Sequence, residues 1–255
     1  MTGGQGPTTL TGSVGFHYLW RSLTTGRAIS SSFLIWAPVL LFSMVAHEYA
    51  HAAAAYRQGD DTAFMLGRLT LNPLKHIDPL MTVIVPVMLW YASHGAFTFG
   101  AAKPVPVNPR NYRHYRRGDI IVSLAGIATN LGLYVACAVL FVVAGVVGAQ
   151  VSGLSSSFAI FQRMLLAGMY LNLVLAFFNL LPIPPLDGSH VLKHLLPPQA
   201  GLKFRSLYRG GFLLVLAFVY FLPGAQKIYL WPAQQLFQVA HSVVGGYQLA
   251  TGVSP

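Results

Sequence analysis

Residues 40–57 read LLFSMVAHEYAHAAAAYR. Two histidines and a glutamate stand in a stretch that is otherwise apolar helix. The chain has six acidic residues in all, and Glu48 is its only glutamate. An ionisable group at membrane depth costs roughly 2.5–3.5 kcal/mol to insert, so it reads as a functional candidate with a partner to be found. His47-Glu48-Tyr49-Ala50-His51 is H-E-x-x-H. On a helix, positions i and i+4 share a face, so both imidazoles can reach one metal ion. Glu48 follows the first of them and projects beside that point, where a water would sit. Two histidines holding zinc, with a glutamate as general base, is the chemistry this spacing serves. A polar cluster that merely packs the bundle would leave a buried carboxylate without a cation, which costs several kcal/mol.

The surroundings of this stretch set the fold class. Of 255 residues, 55% are hydrophobic and only 9% charged, against about 25% charged in soluble domains. Apolar runs cover about residues 32–56, 119–147, 161–181 and 211–222. A shorter run, 80–91, leads into ASHGAFTFGAAKPVPVNP (92–109), which alternates like a strand and is broken by Gly and Pro. Basic residues flank it on both sides: Arg57, Arg68 and Lys75 before, Lys103, Arg110, Arg113, Arg116 and Arg117 after. Such a segment enters and returns to the same side, which is allowed only where it lines protein or a water cavity. The expectation is an all-α polytopic membrane protein with about four to six transmembrane helices and a re-entrant, partly β-like loop.

Charge distribution narrows the partners. The net charge of +10 sits in short loops between apolar runs, a positive-inside pattern and not a basic face, so no nucleic acid is expected. The loop GAQVSGLSSS (148–157) carries no charge and is placed outside. The spans bearing Glu48 and Asp187 both end at basic loops, which puts the site near the cytoplasmic side and the N-terminus outside. No signal peptide is read in the first 30 residues. Three parts are expected: a polar N-terminal segment (1–31), a membrane-embedded core (32–223), and a tail (224–255) that is either an amphipathic interfacial helix or a short final span. All polar loops are short, so no appended soluble domain is expected. Cys137, the one cysteine, offers neither disulfide nor thiolate site.

Catalytic zinc usually has three protein ligands and an open position. Asp187 is the candidate third ligand, being the other acid in an apolar setting. It lies in NLLPIPPLDGSHVL (179–192), where Pro182, Pro184 and Pro185 stop the helix and Gly188 permits a tight turn. His190 is the rival ligand. Otherwise His190 and His194 read as interfacial residues.

Four stretches, HEYAH (47–51), GRLTLNPLKHIDP (67–79), FGAAKPVPVNPRNYR (99–113) and NLLPIPPLDG (179–188), with SLAGIATN (123–130) between them, resemble the site-2 protease family of intramembrane zinc metalloproteases. The likeness is to the compact prokaryotic form without a PDZ or CBS domain. It implies one Zn2+ held by His47, His51 and Asp187, with Glu48 as acid and base. It also implies that Asn130 and Asn179 lie near the substrate or its oxyanion. The substrates would be transmembrane segments of other proteins in the bilayer of a prokaryotic inner membrane. Ile127, where the family usually has Pro, and Met81, where Gly is common, depart from its pattern outside the metal set. Two other classes compete with this reading. A different membrane zinc hydrolase would need a glutamate as third ligand or a larger soluble part. A metal transporter would need polar residues along a crossing path and a repeat in two halves. Oligomeric state and physiological substrate have no residue signature.

Overall fold

The computed structural model describes residues 31–92 and 102–249. Among them the regular structure is helical throughout, with no strand. Helix α1 spans Ser31–Gln58 and carries H-E-x-x-H in its C-terminal half. Gly59 ends it with φ +104°. The Asp60 amide then reaches the Ala55 carbonyl at 3.0 Å and the Gly59 amide the Tyr56 carbonyl at 3.1 Å. That is a Schellman stop, which needs a residue tolerant of positive φ. A single turn, α2 (Thr62–Met65), follows. A π-helical turn over Pro79–Ile84 runs into α3 (Val85–Ala92).

Two helices form the body of the bundle: α4 (Tyr115–Gln150) and α5 (Ser155–Asn179). They are the two, among the described residues, long and apolar enough to cross a bilayer. At 36 residues, α4 is about 54 Å long, well beyond the ~30 Å hydrocarbon core. It is therefore longer than a single crossing needs. Val135, Val139, Leu140, Val143, Val146 and Val147 are exposed along its length, as expected of a face toward lipid. The opposite face supplies Phe141 and Ala144 to a core closed by Leu165 and Met169 of α5 and by Val244.

After α5 the chain breaks at the prolines and restarts as α6 (Asp187–Leu195), so that Asp187 is its first residue. Next come α7 (Pro198–Ser206), α8 (Gly211–Phe221) and α9 (Ala225–Val244). The tail is tied down by Gln162 of α5, which is buried. Its amide donates to the carbonyls of Phe141 (3.0 Å) and Tyr247 (2.9 Å), and its Oε1 accepts from the Leu249 amide at 2.9 Å.

The alternating segment expected to be β-like falls partly outside the described residues. The part described, 102–108, has no regular structure and no strand partner. Contacts to earlier segments of the chain fix it. The Lys103 amide donates to the His76 carbonyl at 2.8 Å, Val105 is buried with Ala52 and Ala63, and the Asn108 amide donates to Asp60 at 2.6 Å.

Candidate metal centre

Helices α1 and α6 together deliver three groups to one place. His47 and His51 project from the same face with their Nε2 atoms 3.0 Å apart. Asp187 arrives from α6 and sets Oδ2 3.2 Å from His47 Nε2 and 3.3 Å from His51 Nε2. The three donors form one compact group, and it is the only such group among the described residues. Its position at a helix start, directly after the proline break, is what lets a side chain from a second element point into the bundle.

The proton inventory decides what this group is for. His51 Nδ1 lies 2.7 Å from the Val122 carbonyl, which can only accept, so His51 carries its proton on Nδ1. His47 Nδ1 lies 2.5 Å from Asn130 Oδ1 and is likewise the donor. In the neutral imidazoles both Nε2 atoms are then lone pairs aimed at a carboxylate oxygen that has no hydrogen-bond partner of its own. Three acceptors facing one another in a buried site repel unless a positive charge, a proton or a metal ion, lies between them. Donors on one tetrahedral zinc stand about 3.3 Å apart, close to the spacings seen. The residues present therefore fit a zinc ion, and each histidine has the backing partner that metal-bound imidazoles characteristically have.

Helix α4 is the wall that makes this possible. A Cβ on Gly126 would fall 2.5 Å from both His47 Cε1 and His51 Nε2, so only glycine lets α4 come this close. One turn before it lies the Val122 carbonyl, and one turn after it Asn130, fully buried. Asn130 has both amide ends engaged inside the bundle, to His47 and to Asn172 Oδ1 at 2.8 Å. Asn179 ends α5 half-buried, and its Nδ2 donates to the Leu175 carbonyl at 3.0 Å. Glu48 projects to the side, where its Oε2 accepts the Val105 amide at 2.8 Å.

Some of these partners have no signature in a single sequence. The Val122 carbonyl and the Val105 amide are backbone. Gly126 and Asn130, four apart, carry a faint one. The structure also buries two acids that the sequence places in or beside basic loops. Asp119 at the start of α4 meets Lys193 Nζ at 2.6 Å, His194 Nε2 at 2.7 Å and His190 Nδ1 at 3.4 Å. His190 thus faces Asp119, not the donors around Asp187. Asp60 accepts from the Thr62 hydroxyl (2.5 Å) and amide (3.2 Å), the Asn108 amide (2.6 Å) and Asn111 Nδ2 (2.9 Å).

Comparison with known proteins places the sequence independently of this geometry. The family model for peptidase family M50 matches residues 35–218. The chain is similar to a Bacillus subtilis protein named "Putative zinc metalloprotease YwhC", 39% identical over 198 residues, which cover 76% of this chain and 82% of that one. It is similar to "Putative zinc metalloprotease Rip2" of Mycolicibacterium smegmatis, 32% identical over 204 residues, covering 77% and 71%. The Rip2 of Mycobacterium tuberculosis strain H37Rv is 36% identical over 182 residues, covering 69% and 63%. No solved structure matches the chain.

Proposed function

From the premise that this chain belongs to peptidase family M50, the site-2 proteases, and is a zinc metalloprotease, we propose that it is an intramembrane endopeptidase that hydrolyses peptide bonds in the transmembrane segments of other membrane proteins. One Zn2+ is held by His47, His51 and Asp187. When bound, zinc supplies Lewis acidity toward a water and a peptide carbonyl. Glu48 is the general base, taking a proton from the attacking water and passing it to the leaving nitrogen. The Val105 amide occupies its Oε2, so Oε1 is the atom that carries the proton. The resemblance implies a place near the substrate or its oxyanion for both Asn179 and Asn130; Asn179 is assigned to the developing oxyanion, since both amide ends of Asn130 are engaged inside the bundle. The cleavage site lies near the cytoplasmic face of a prokaryotic plasma membrane, which the protein crosses several times.

The observation that carries this reading is the trio of bare donors from α1 and α6 with a glutamate beside it. The apolar outward face of α4 supports the membrane setting. A transmembrane substrate must unwind locally to expose a peptide bond, because helical bonds are shielded by their own hydrogen bonds.

The test uses purified protein in detergent, zinc analysis, and a panel of transmembrane test peptides. Glu48→Gln is expected to keep zinc and lose cleavage by about 10²–10⁴-fold. Cleavage of soluble unfolded peptides with the transmembrane panel untouched would remove the intramembrane part. Full activity in Glu48→Gln would remove the mechanism.

A further inference from the structure

Behind His47 runs a chain of buried amides that crosses three helices. Asn130 Oδ1 faces His47 Nδ1 at 2.5 Å. Asn130 Nδ2 donates to Asn172 Oδ1 at 2.8 Å. Asn172 Nδ2 donates to the Gly168 carbonyl at 2.8 Å and to Ser43 Oγ at 2.9 Å. Asn130, Asn172 and Ser43 are each no more than 1% exposed, so no water can substitute for a missing partner. Asn172 makes no hydrogen bond to a metal donor; its partners are Asn130, Ser43 and the Gly168 carbonyl.

We propose that Asn172 is a positioning residue that sets the tautomer of His47, and through it the availability of a metal-binding lone pair. This rests on the ligand set proposed above. The reasoning is a chain of directions. A backbone carbonyl only accepts. The Gly168 carbonyl therefore fixes which end of the Asn172 amide is nitrogen, and Oδ1 must face Asn130. That oxygen demands a donor, which fixes Asn130 with Nδ2 toward α5 and Oδ1 toward His47. Asn130 Oδ1 in turn demands a proton on His47 Nδ1, which leaves Nε2 bare. The polarity is thus set by one helix carbonyl of α5, passed through α4, and read out on α1. His51 needs no such relay, because its Nδ1 meets the Val122 carbonyl directly.

Cutting the chain removes the direction and not merely a contact. In Asn172→Leu, Asn130 Nδ2 loses its acceptor. Turning the amide over returns a partner to that nitrogen, since Nδ2 can donate to His47 Nδ1, and leaves only a carbonyl without one. An orphan carbonyl is tolerated better than an orphan N–H. The His47 proton then sits on Nε2, and a metal ion must reverse the flip to bind. Asn130→Asp behaves differently. Both carboxylate oxygens accept, so the group cannot be turned the wrong way.

The experiment measures zinc affinity of the purified, detergent-solubilised protein by competition with a chelator, together with the visible spectrum after Co2+ substitution. Circular dichroism and melting of the zinc-stripped protein report on the fold. Asn172→Leu is expected to lose affinity by about 10-fold or more, with the zinc-free melting unchanged in shape. Asn130→Asp keeps an acceptor at His47 Nδ1 but sets a second oxygen against Asn172 Oδ1, so it serves as the reference for the double variant and not as a match to wild type. Asn130→Asp combined with Asn172→Leu should return to the level of Asn130→Asp, because the flip no longer exists. Ser43→Ala should match wild type, since the Gly168 carbonyl alone fixes the amide. Should Asn172→Leu fail to fold, Asn172→Ala takes its place. Unchanged affinity in the Asn172 variant overturns the proposal, and so does a double variant as weak as the single one, which is the pattern of a plain packing role. A wild type that takes up no zinc, or His51→Ala binding as well as wild type, overturns the ligand set itself and is seen before the Asn172 comparison is read.

Discussion

Two clusters in this bundle are built from the same residue types at the same spacing. His47 and His51 of α1 face Asp187. His190 and His194 of α6 face Asp119. Each is an i, i+4 histidine pair with an aspartate from another helix, and each aspartate is largely removed from water. Two things separate them: the donors of the first converge within 4.8 Å of one another while those of the second form no such group, and the protons lie differently. In the first cluster every Nδ1 hands its proton to an acceptor behind it, so that the neutral imidazoles turn lone pairs to the carboxylate. In the second the Lys193 ammonium stands 2.6 Å from the carboxylate, and His194 Nε2 at 2.7 Å is placed to donate to it. That carboxylate is already neutralised. A buried triad of this composition is a metal site only when its own protons leave a charge unanswered.

The comparison is broken most severely at Asp187. Asp187→Asn replaces the anionic donor with a neutral amide between two imidazoles. Zinc content should fall to background and cleavage of the transmembrane panel should vanish. Asp119→Asn should leave zinc content unchanged while lowering stability by about 3 kcal/mol, the cost of stranding the buried Lys193 ammonium. Melting in detergent and zinc analysis on the two variants side by side decide it. Equal zinc loss in both would mean that Asp119 acts on the centre through α6.

Lys193→Met sharpens the same contrast with a smaller effect. It leaves His190, His194 and Asp119 in place and removes the competing cation. The expected outcome is uptake of a second equivalent of zinc or nickel that the parent protein does not take, read by metal analysis after dialysis. Continued binding of a single equivalent would show that the ring orientations on α6, and not the ammonium, exclude a metal there.

How much of this was legible in the sequence follows the same line between side chain and surroundings. H-E-x-x-H and Asp187 could be read because helical periodicity and a proline break say where those side chains point before any fold is known. The zinc reading needed only their chemistry. Asp119 and Asp60 each stand beside basic residues in the chain, and only folding shows that Asp119 takes its partners from α6, 74 residues away for Lys193. The roles of Val122, Val105 and Gly168 belong to backbone groups, which every residue carries and no motif can single out. Asn172 lies in an apolar run where helix–helix hydrogen bonding is the ordinary expectation, and its direction depends on a carbonyl of its own helix. The alternation of ASHGAFTFGAAKPVPVNP is real, yet residues 102–108 are held by side chains and carbonyls of neighbouring segments instead of a strand partner.

Asp60 extends the comparison to a carboxylate answered without any cation, and carries the smallest expected effect. Burial pushes its carboxyl up, but hydrogen bonds from Thr62, Asn108 and Asn111 outweigh this and hold it below its usual range. These donors join the end of α1 to the segment whose Val105 amide holds Glu48. A carboxyl depressed in the folded state contributes stability that is fully present above its unfolded value of about 4, and that contribution is lost as pH falls through the lower folded value. Wild type should therefore lose stability between neutral pH and the acid side of pH 4 by more than Asp60→Asn does, with the gap between them largest at neutral pH and closing as pH falls. The check is a pair of melting curves in detergent at neutral and acid pH for both proteins. Zinc leaves the centre in acid, so the comparison is made on zinc-stripped protein, where Asp187 and the histidines are the same in both and cancel in the difference. A gap that stays constant with pH would mean that Asp60 contributes by shape and hydrogen bonding alone, and that its charge is not what fixes the segment over Glu48.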